Sequence, residues 1–212
     1  MKTAKRKKTF RLLAIAMIAI FAFAACGGVE EPVDVDDGIH IDEYRAVEII
    51  KGVLNVELHP LHLLFDTEFE NDLMGVDLFI KDSKIRMDSQ DPDFGLVSLI
   101  TNENGDYIVM QDHKAYTKST EPLDKNNMTF LLTEEEIADC VLSKGQEEIK
   151  GVLYDFERFT GEEDVFTFYF VIDTGQWIAL KTKDTMMYIN EVSEEVDDSI
   201  FQIPSDFEKI VM

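Results

Sequence analysis

Few side chains in this chain of 212 residues could do chemistry: two cysteines, four histidines, and 43 aspartates and glutamates. His59 and His62 bracket Pro60 and Leu61. A zinc site needs further ligands at fixed spacing, all facing one point, and a proline followed by a strand pattern separates these two rings. His40 stands in a polar N-terminal stretch and His113 in a turn, each alone. Asp34, Asp36 and Asp37 invite calcium, but an EF-hand loop places glycine sixth, and Gly38 is fifth when Asp34 is first. Cys140 has Glu136 and Asp139 as neighbours in sequence. Acids raise a thiol pKa, which makes Cys140 a buried filler rather than a nucleophile. Carboxylates are so abundant that a pair of them marks no glycosidase. The chain has no G-x-S-x-G, H-E-x-x-H, P-loop or Rossmann glycine pattern. The expectation is no catalytic residue, no metal, no cofactor and no enzyme activity.

The other thiol, Cys26, has a different setting. Residues 1–11 carry Lys2, Lys5, Arg6, Lys7, Lys8 and Arg11 without an acid, and an apolar run follows from Leu12 to Ala25. That run is 14 residues long, short of the roughly 20 a bilayer span requires. A basic head, a short apolar core and small residues at the end describe an export signal. Phe23-Ala24-Ala25-Cys26, followed by Gly27, resembles the lipobox of bacterial lipoproteins. The resemblance implies a signal peptide over 1–25, cleavage before Cys26, and a diacylglycerol with palmitate-like chains on its thiol. The mature protein is then expected outside the cytoplasm, anchored to the bacterial cell membrane. A plain secretory signal with a chance cysteine is the alternative. With Cys26 acylated, Cys140 has no disulfide partner.

Charge divides at the same point. The formal net charge is −23, which argues against nucleic acid, whose binding needs a basic surface, and against electrostatic docking on an anionic bilayer. Cleavage removes 25 residues with six of the 20 basic side chains and no acid, leaving 14 basic against 43 acidic and a net of −29. Residues 26–41 are rich in glycine, proline and acid without any period, and read as the lipidated cysteine and an extended acidic tether.

From Asp42 to about Leu58, the apolar residues Tyr44, Val47, Ile50 and Leu54 keep helical spacing and predict an amphipathic helix. After Pro60 the period becomes two: Leu61, Leu63, Phe65 and Phe69 alternate with polar neighbours, as in a half-buried strand. Further strands are predicted at Met74–Lys81, Lys84–Ser89, Leu96–Thr101, Tyr107–Gln111 and Ala115–Lys118. Asn104-Gly105 is a hairpin signal. Thr133–Ser143 predicts a second helix, opened by a Thr133/Glu136 capping box and stopped at Gly145. Strands resume at Glu148–Phe159, Val165–Asp173, Gln176–Lys183 and Thr185–Val192. The reading is one α+β domain over 42–212, with about nine antiparallel strands and two helices.

Several of these patterns together resemble the LolA-like and LppX/LprG-like cell-envelope lipoproteins. They are Leu78-Phe79-Ile80-Lys81 with Lys84-Ile85-Arg86-Met87, the Gly145/Ile149/Gly151-Val152/Tyr154 spacing, Trp177, and the closing Phe201-Gln202-Ile203-Pro204-Ser205-Asp206-Phe207. The resemblance implies an incomplete antiparallel β-barrel, a half-barrel closed by its helices, whose apolar concave face holds acyl chains.

Val165–Ile172 is apolar on both strand faces, with Phe166, Phe168, Phe170 and Ile172 on one and Val165, Tyr169 and Val171 on the other. A one-layer antiparallel sheet keeps one face polar, so both faces here need cover. One reading is a greasy surface for an acyl lipid or other apolar ligand, formed by Phe65, Phe69, Leu78, Ile80, Phe166, Phe168, Phe170 and Trp177. The other is an ordinary core strand, and parity does not choose between them. A second functional hypothesis takes the acidic field as its warrant. It is an envelope module, for protein interaction or sensing, that docks a cationic partner.

Overall fold

The computed structural model describes residues 43–69, 72–119, 133–162, 164–182 and 185–211. Two runs of strands build it. The first comprises β1 (Leu61–Phe69), β2 (Asp72–Lys81), β3 (Lys84–Asp91), β4 (Gly95–Asn102), β5 (Gly105–Met110) and β6 (Ala115–Lys118). The second comprises β7 (Val141–Ile149), β8 (Val152–Thr160), β9 (Val165–Phe170), β10 (Trp177–Lys181) and β11 (Met186–Ser193). Helix α1 (Arg45–Lys51) precedes β1, α2 (Glu134–Ala138) precedes β7, and a 3-10 turn (Asp198–Phe201) leads toward β12 (Glu208–Lys209).

All twelve strands share one sheet, in the order β12-β6-β5-β4-β3-β2-β1-β11-β10-β9-β8-β7. Each run is an antiparallel meander, and the two are joined where β1 pairs with β11. β12 lies parallel to β6, so the sheet is mixed, and it is open, with β12 and β7 at its ends. This overturns the expected half-barrel of about nine antiparallel strands under two covering helices. The extra strands have identifiable causes. The predicted strand Glu148–Phe159 turns back at Lys150-Gly151, where φ is 51° and 84°. Two left-handed residues make the turn whose twist matches a hairpin. The predicted second helix has its capping box, with Glu136 N–H donating to Thr133 Oγ1 and Thr133 N–H donating to the Glu136 carboxylate. It ends after five residues, and the chain enters β7. Gly145 is therefore no helix stop. It pairs with Phe156, whose ring lies 3.0 Å from where a Cβ would sit.

The four residues of the expected stripe, Tyr44, Val47, Ile50 and Leu54, are all buried, but the helix is shorter than the predicted 42–58: it spans Arg45–Lys51, Tyr44 is its N-cap, and Leu54 lies past its C-cap Gly52. They pack on alternate residues of the sheet, among them Leu61, Leu63, Phe65, Leu78, Ile80, Phe159, Phe168 and Leu180. This helix face holds the main core. The opposite, outer face differs along the sheet. Over the first meander it carries the C-terminal segment. Arg86 donates to the Ile200 carbonyl at 2.8 Å, Asn102 to the Phe201 carbonyl at 2.9 Å, and Lys81 and Lys84 to Asp198 at 2.8 and 2.6 Å. Phe201, Ile100 and Val109 are fully buried there. Over the second meander the outer face holds a smaller cluster of Phe156, Tyr169 and Ala179, flanked by Ile149, Tyr154, Ile178, Met186 and Tyr188.

Candidate functional site

The structure brings most of the predicted ligand residues together. Phe65, Leu78, Ile80, Phe166, Phe168 and Phe170 lie on the helix face, none more than 7 % exposed. What fills the space before them is the chain's own helix α1. Trp177 joins the same face, its ring 5.7 Å from Phe168 and its Nε1–H donating to the Ala179 carbonyl at 2.8 Å. Phe69 closes β1, but its side chain lies outside the described residues. Cys26, the signal segment and the tether also lie outside them. Ile172, expected on the face of Phe170, falls beyond the end of β9 and is exposed.

Helix α1 is held by a polar latch that sequence reasoning missed. Its N-cap residue, Tyr44, makes no side-chain cap, which leaves backbone N–H groups of the first turn to be satisfied. Glu157 of β8 supplies the acceptor: its Oε2 takes the Ala46 N–H at 2.8 Å and its Oε1 the Arg45 Nε–H at 3.0 Å. Arg45 also reaches Asp155 at 3.4 Å and stacks 4.1 Å above the Phe170 ring. Glu157 is 4 % exposed, and a carboxylate so buried needs its partners. The available signal was parity, because Glu157 alternates with Phe159 and so had to point into the core.

Beside this latch lies an open cleft of about 270 Å³ lined by Arg45, Lys144, Gly145, Gln146, Asp155, Phe156 and Glu157. Its walls are β7, β8 and the start of α1. Beside it, Gln146 donates to Asp155 at 3.1 Å, and the Lys144 ammonium lies 5.6 Å from the Tyr44 ring centre.

The isolated candidates resolve individually. His62 stacks on Phe79 with centroids 4.3 Å apart and meets Asp77 at 2.7 Å, whereas His59 is exposed in the preceding turn. Among the described residues no group of three or more His, Cys, Asp and Glu could hold a metal. Burial first, and then Asp139, Asp164 and Glu136, push the Cys140 thiol pKa up, in the direction its sequence neighbours indicated. Tyr169, the polar member of the outer cluster, donates to Glu147 at 3.0 Å, and Arg158 reaches the same carboxylate at 3.2 Å. Burial and the Glu147 charge hold its phenol well above the usual tyrosine range. Among the described residues no helix is long and apolar enough to cross a membrane.

No protein-family model matches the chain, and no curated protein matches it. Among solved structures, an uncharacterized conserved protein from Thermus thermophilus overlays at a TM-score of 0.46 and 10 % identity, over 79 % of this chain and 99 % of that one. The Pseudomonas aeruginosa MucA/MucB complex overlays at 0.43 and 10 %, over 80 % of this chain and 64 % of that chain. MucB in complex with MucA(peri) overlays at 0.41 and 10 %, over 79 % and 62 %. This chain thus spans somewhat less than two thirds of the MucB chains, and all three overlays fall below a TM-score of 0.5.

Proposed function

We propose that the chain is a non-enzymatic interaction module of the bacterial cell envelope. A lipid on Cys26 tethers it to the membrane, and its acidic sheet engages another protein. One observation carries this reading over an acyl carrier: the apolar face suited to a lipid is occupied by α1, which Glu157 fastens in place. An acyl chain would have to displace the helix and strand a buried carboxylate. The polar surfaces are what remain on offer, and the net charge of −29 left after cleavage, 14 basic against 43 acidic side chains, steers cationic partners toward them.

The test uses the full-length chain expressed with its own leader in a bacterial host. Its mass after extraction should show loss of 25 residues and gain of a thioether-linked diacylglycerol on Cys26, with no additional lipid held non-covalently. Cys26→Ala should move the protein out of the membrane fraction. Crosslinking in cells should yield a protein adduct whose amount falls as salt rises. A stoichiometric acyl ligand in native mass spectra, with α1 losing amide protection on its uptake, would overturn the reading.

A further inference from the structure

The two edges of the sheet are unlike. β12 is two residues long, short enough to offer an incoming strand little. β7 runs for nine residues, contains no proline, and keeps an unbroken register with β8 from Val141↔Thr160 to Ile149↔Val152. Proteins usually blunt such an edge by shortening, bulging or covering it. Among the described residues no strand pairs with the outer side of β7.

The hairpin geometry says which backbone groups face outward. Lys150-Gly151 is a two-residue turn, so the flanking pair Ile149/Val152 exchanges both hydrogen bonds. Counting back, Glu147, Gly145, Ser143 and Val141 point their N–H and C=O groups at β8. Glu148, Gln146, Lys144 and Leu142 direct theirs to the open edge. The side chains of Lys144, Gln146 and Glu148 are exposed on the helix face, and the first two line the cleft.

We propose that β7 is a strand-addition site for an extended basic segment of another polypeptide. This rests on the interaction-module reading above and names its partner class and location. Main-chain bonds to alternate residues supply affinity in such complexes, and side-chain pockets supply choice. A residue opposite Lys144 or Gln146 would project into the cleft beside Asp155. Charge selects the occupant. Exposed Glu135, Glu136 and Asp139 stand at the start of β7 and exposed Glu148 near its end, while Lys144 is the one base on the strand. A second copy would oppose two cleaved chains of −29 each, 14 basic against 43 acidic side chains. The acidic stretch 30–37, with Glu30, Glu31, Asp34, Asp36 and Asp37, would be repelled in the same way.

The probe is a capped peptide of alternating lysine and valine, with a twin N-methylated at alternate residues along one edge. Both are offered to the full-length membrane-extracted chain in uncharged detergent. The amides of Leu142, Lys144, Gln146 and Glu148 should gain exchange protection on binding of the first peptide. The methylated twin should bind at least about tenfold more weakly. Gln146→Pro removes one outward N–H, at an edge position where proline is tolerated, and should weaken binding by a similar factor, well beyond the effect of Gln146→Ala, which loses the same side chain but keeps that N–H. Binding should also fall steeply toward about 1 M salt, where the screening length is about 3 Å. Equal affinity for the two peptides, or no protection at the four amides, overturns the proposal. A dimer joined through β7 overturns it too, by assigning the edge to a second copy. Peptide bound elsewhere on the acidic surface would do the same to the β7 assignment while leaving the interaction-module reading intact.

Discussion

The two meanders are fastened by opposite ends of the chain. The first, β1–β6, is covered on its outer face by the C-terminal segment, through Arg86–Ile200, Asn102–Phe201 and the Lys81/Lys84–Asp198 pairs. Among the described residues, the second, β7–β11, has no returning segment on that face, but its own side chains and Glu68 of β1, which lies 3.1 Å from Lys150 and accepts from the Tyr188 hydroxyl at 3.2 Å. Arg158 lies 4.8 Å over Phe156, Lys150 lies 4.3 Å over Tyr188, and Glu147 gathers Arg158 and Tyr169. Besides the β1–β11 ladder, it is fastened on the inner face, where Glu157 grips the start of α1. A sheet face can thus be closed either by a returning segment or by long amphipathic side chains lying over their neighbours. The second device leaves an edge and a face open to partners.

The sharpest way to break this comparison is Phe201→Ala. Removing a fully buried ring should cost about 4 kcal/mol, read as a lower urea midpoint, with exchange protection falling first in β3 and β4. Equal loss across β7–β11 would show that the tail holds the whole sheet rather than one half. Glu157→Ala should cost roughly 3 kcal/mol, since it strips a buried ion pair and a helix cap together. Its signature is loss of protection at Ala46 and Val47. Tyr169→Phe removes one hydrogen bond from the outer cluster and should cost about 1 kcal/mol, measurable as a midpoint shift with the tail contacts unaffected. The smallest effect concerns Asp198, which Lys81 and Lys84 pull below its ordinary 3.8 to about 2. Its folded pKa is depressed, so its contribution is present above 3.8 and vanishes as the pH falls toward about 2. Asp198→Asn should therefore flatten the acid limb of a midpoint-versus-pH curve for the first meander alone.

Alternation made most of the first meander legible. Leu61, Leu63 and Phe65 point inward as their spacing required, and β2 to β6 fall within a few residues of expectation. Helix α1 was legible from its stripe, and α2 from its capping box. β7 was not, because Thr133-to-Gly145 carries both a helix start and a glycine that reads as its stop. Only the pairing of Gly145 with Phe156 shows that the glycine makes room for a ring. The aromatic residues of β9 were found but their role was open. Parity places them on a face without saying what stands opposite, and α1 does. The latch escaped because Arg45 and Glu157 are 112 residues apart, and no local pattern joins them.

The pairing of β1 with β11 also sets an order of events. A chain that emerges from its N-terminus exposes β1 through β6 early. The partner of β1, however, lies more than 120 residues downstream, as the contact from Asp66 to Asn190 shows. Until β11 arrives, β1 is itself an unpaired edge, and half of the core around Phe65 lacks its neighbours. Contacts of such long sequence separation make folding slow and leave exposed strands prone to mispairing. The central seam of the finished sheet thus closes late, just ahead of the C-terminal segment, and the emerging chain would need shelter, or speed, for as long as that seam stays open.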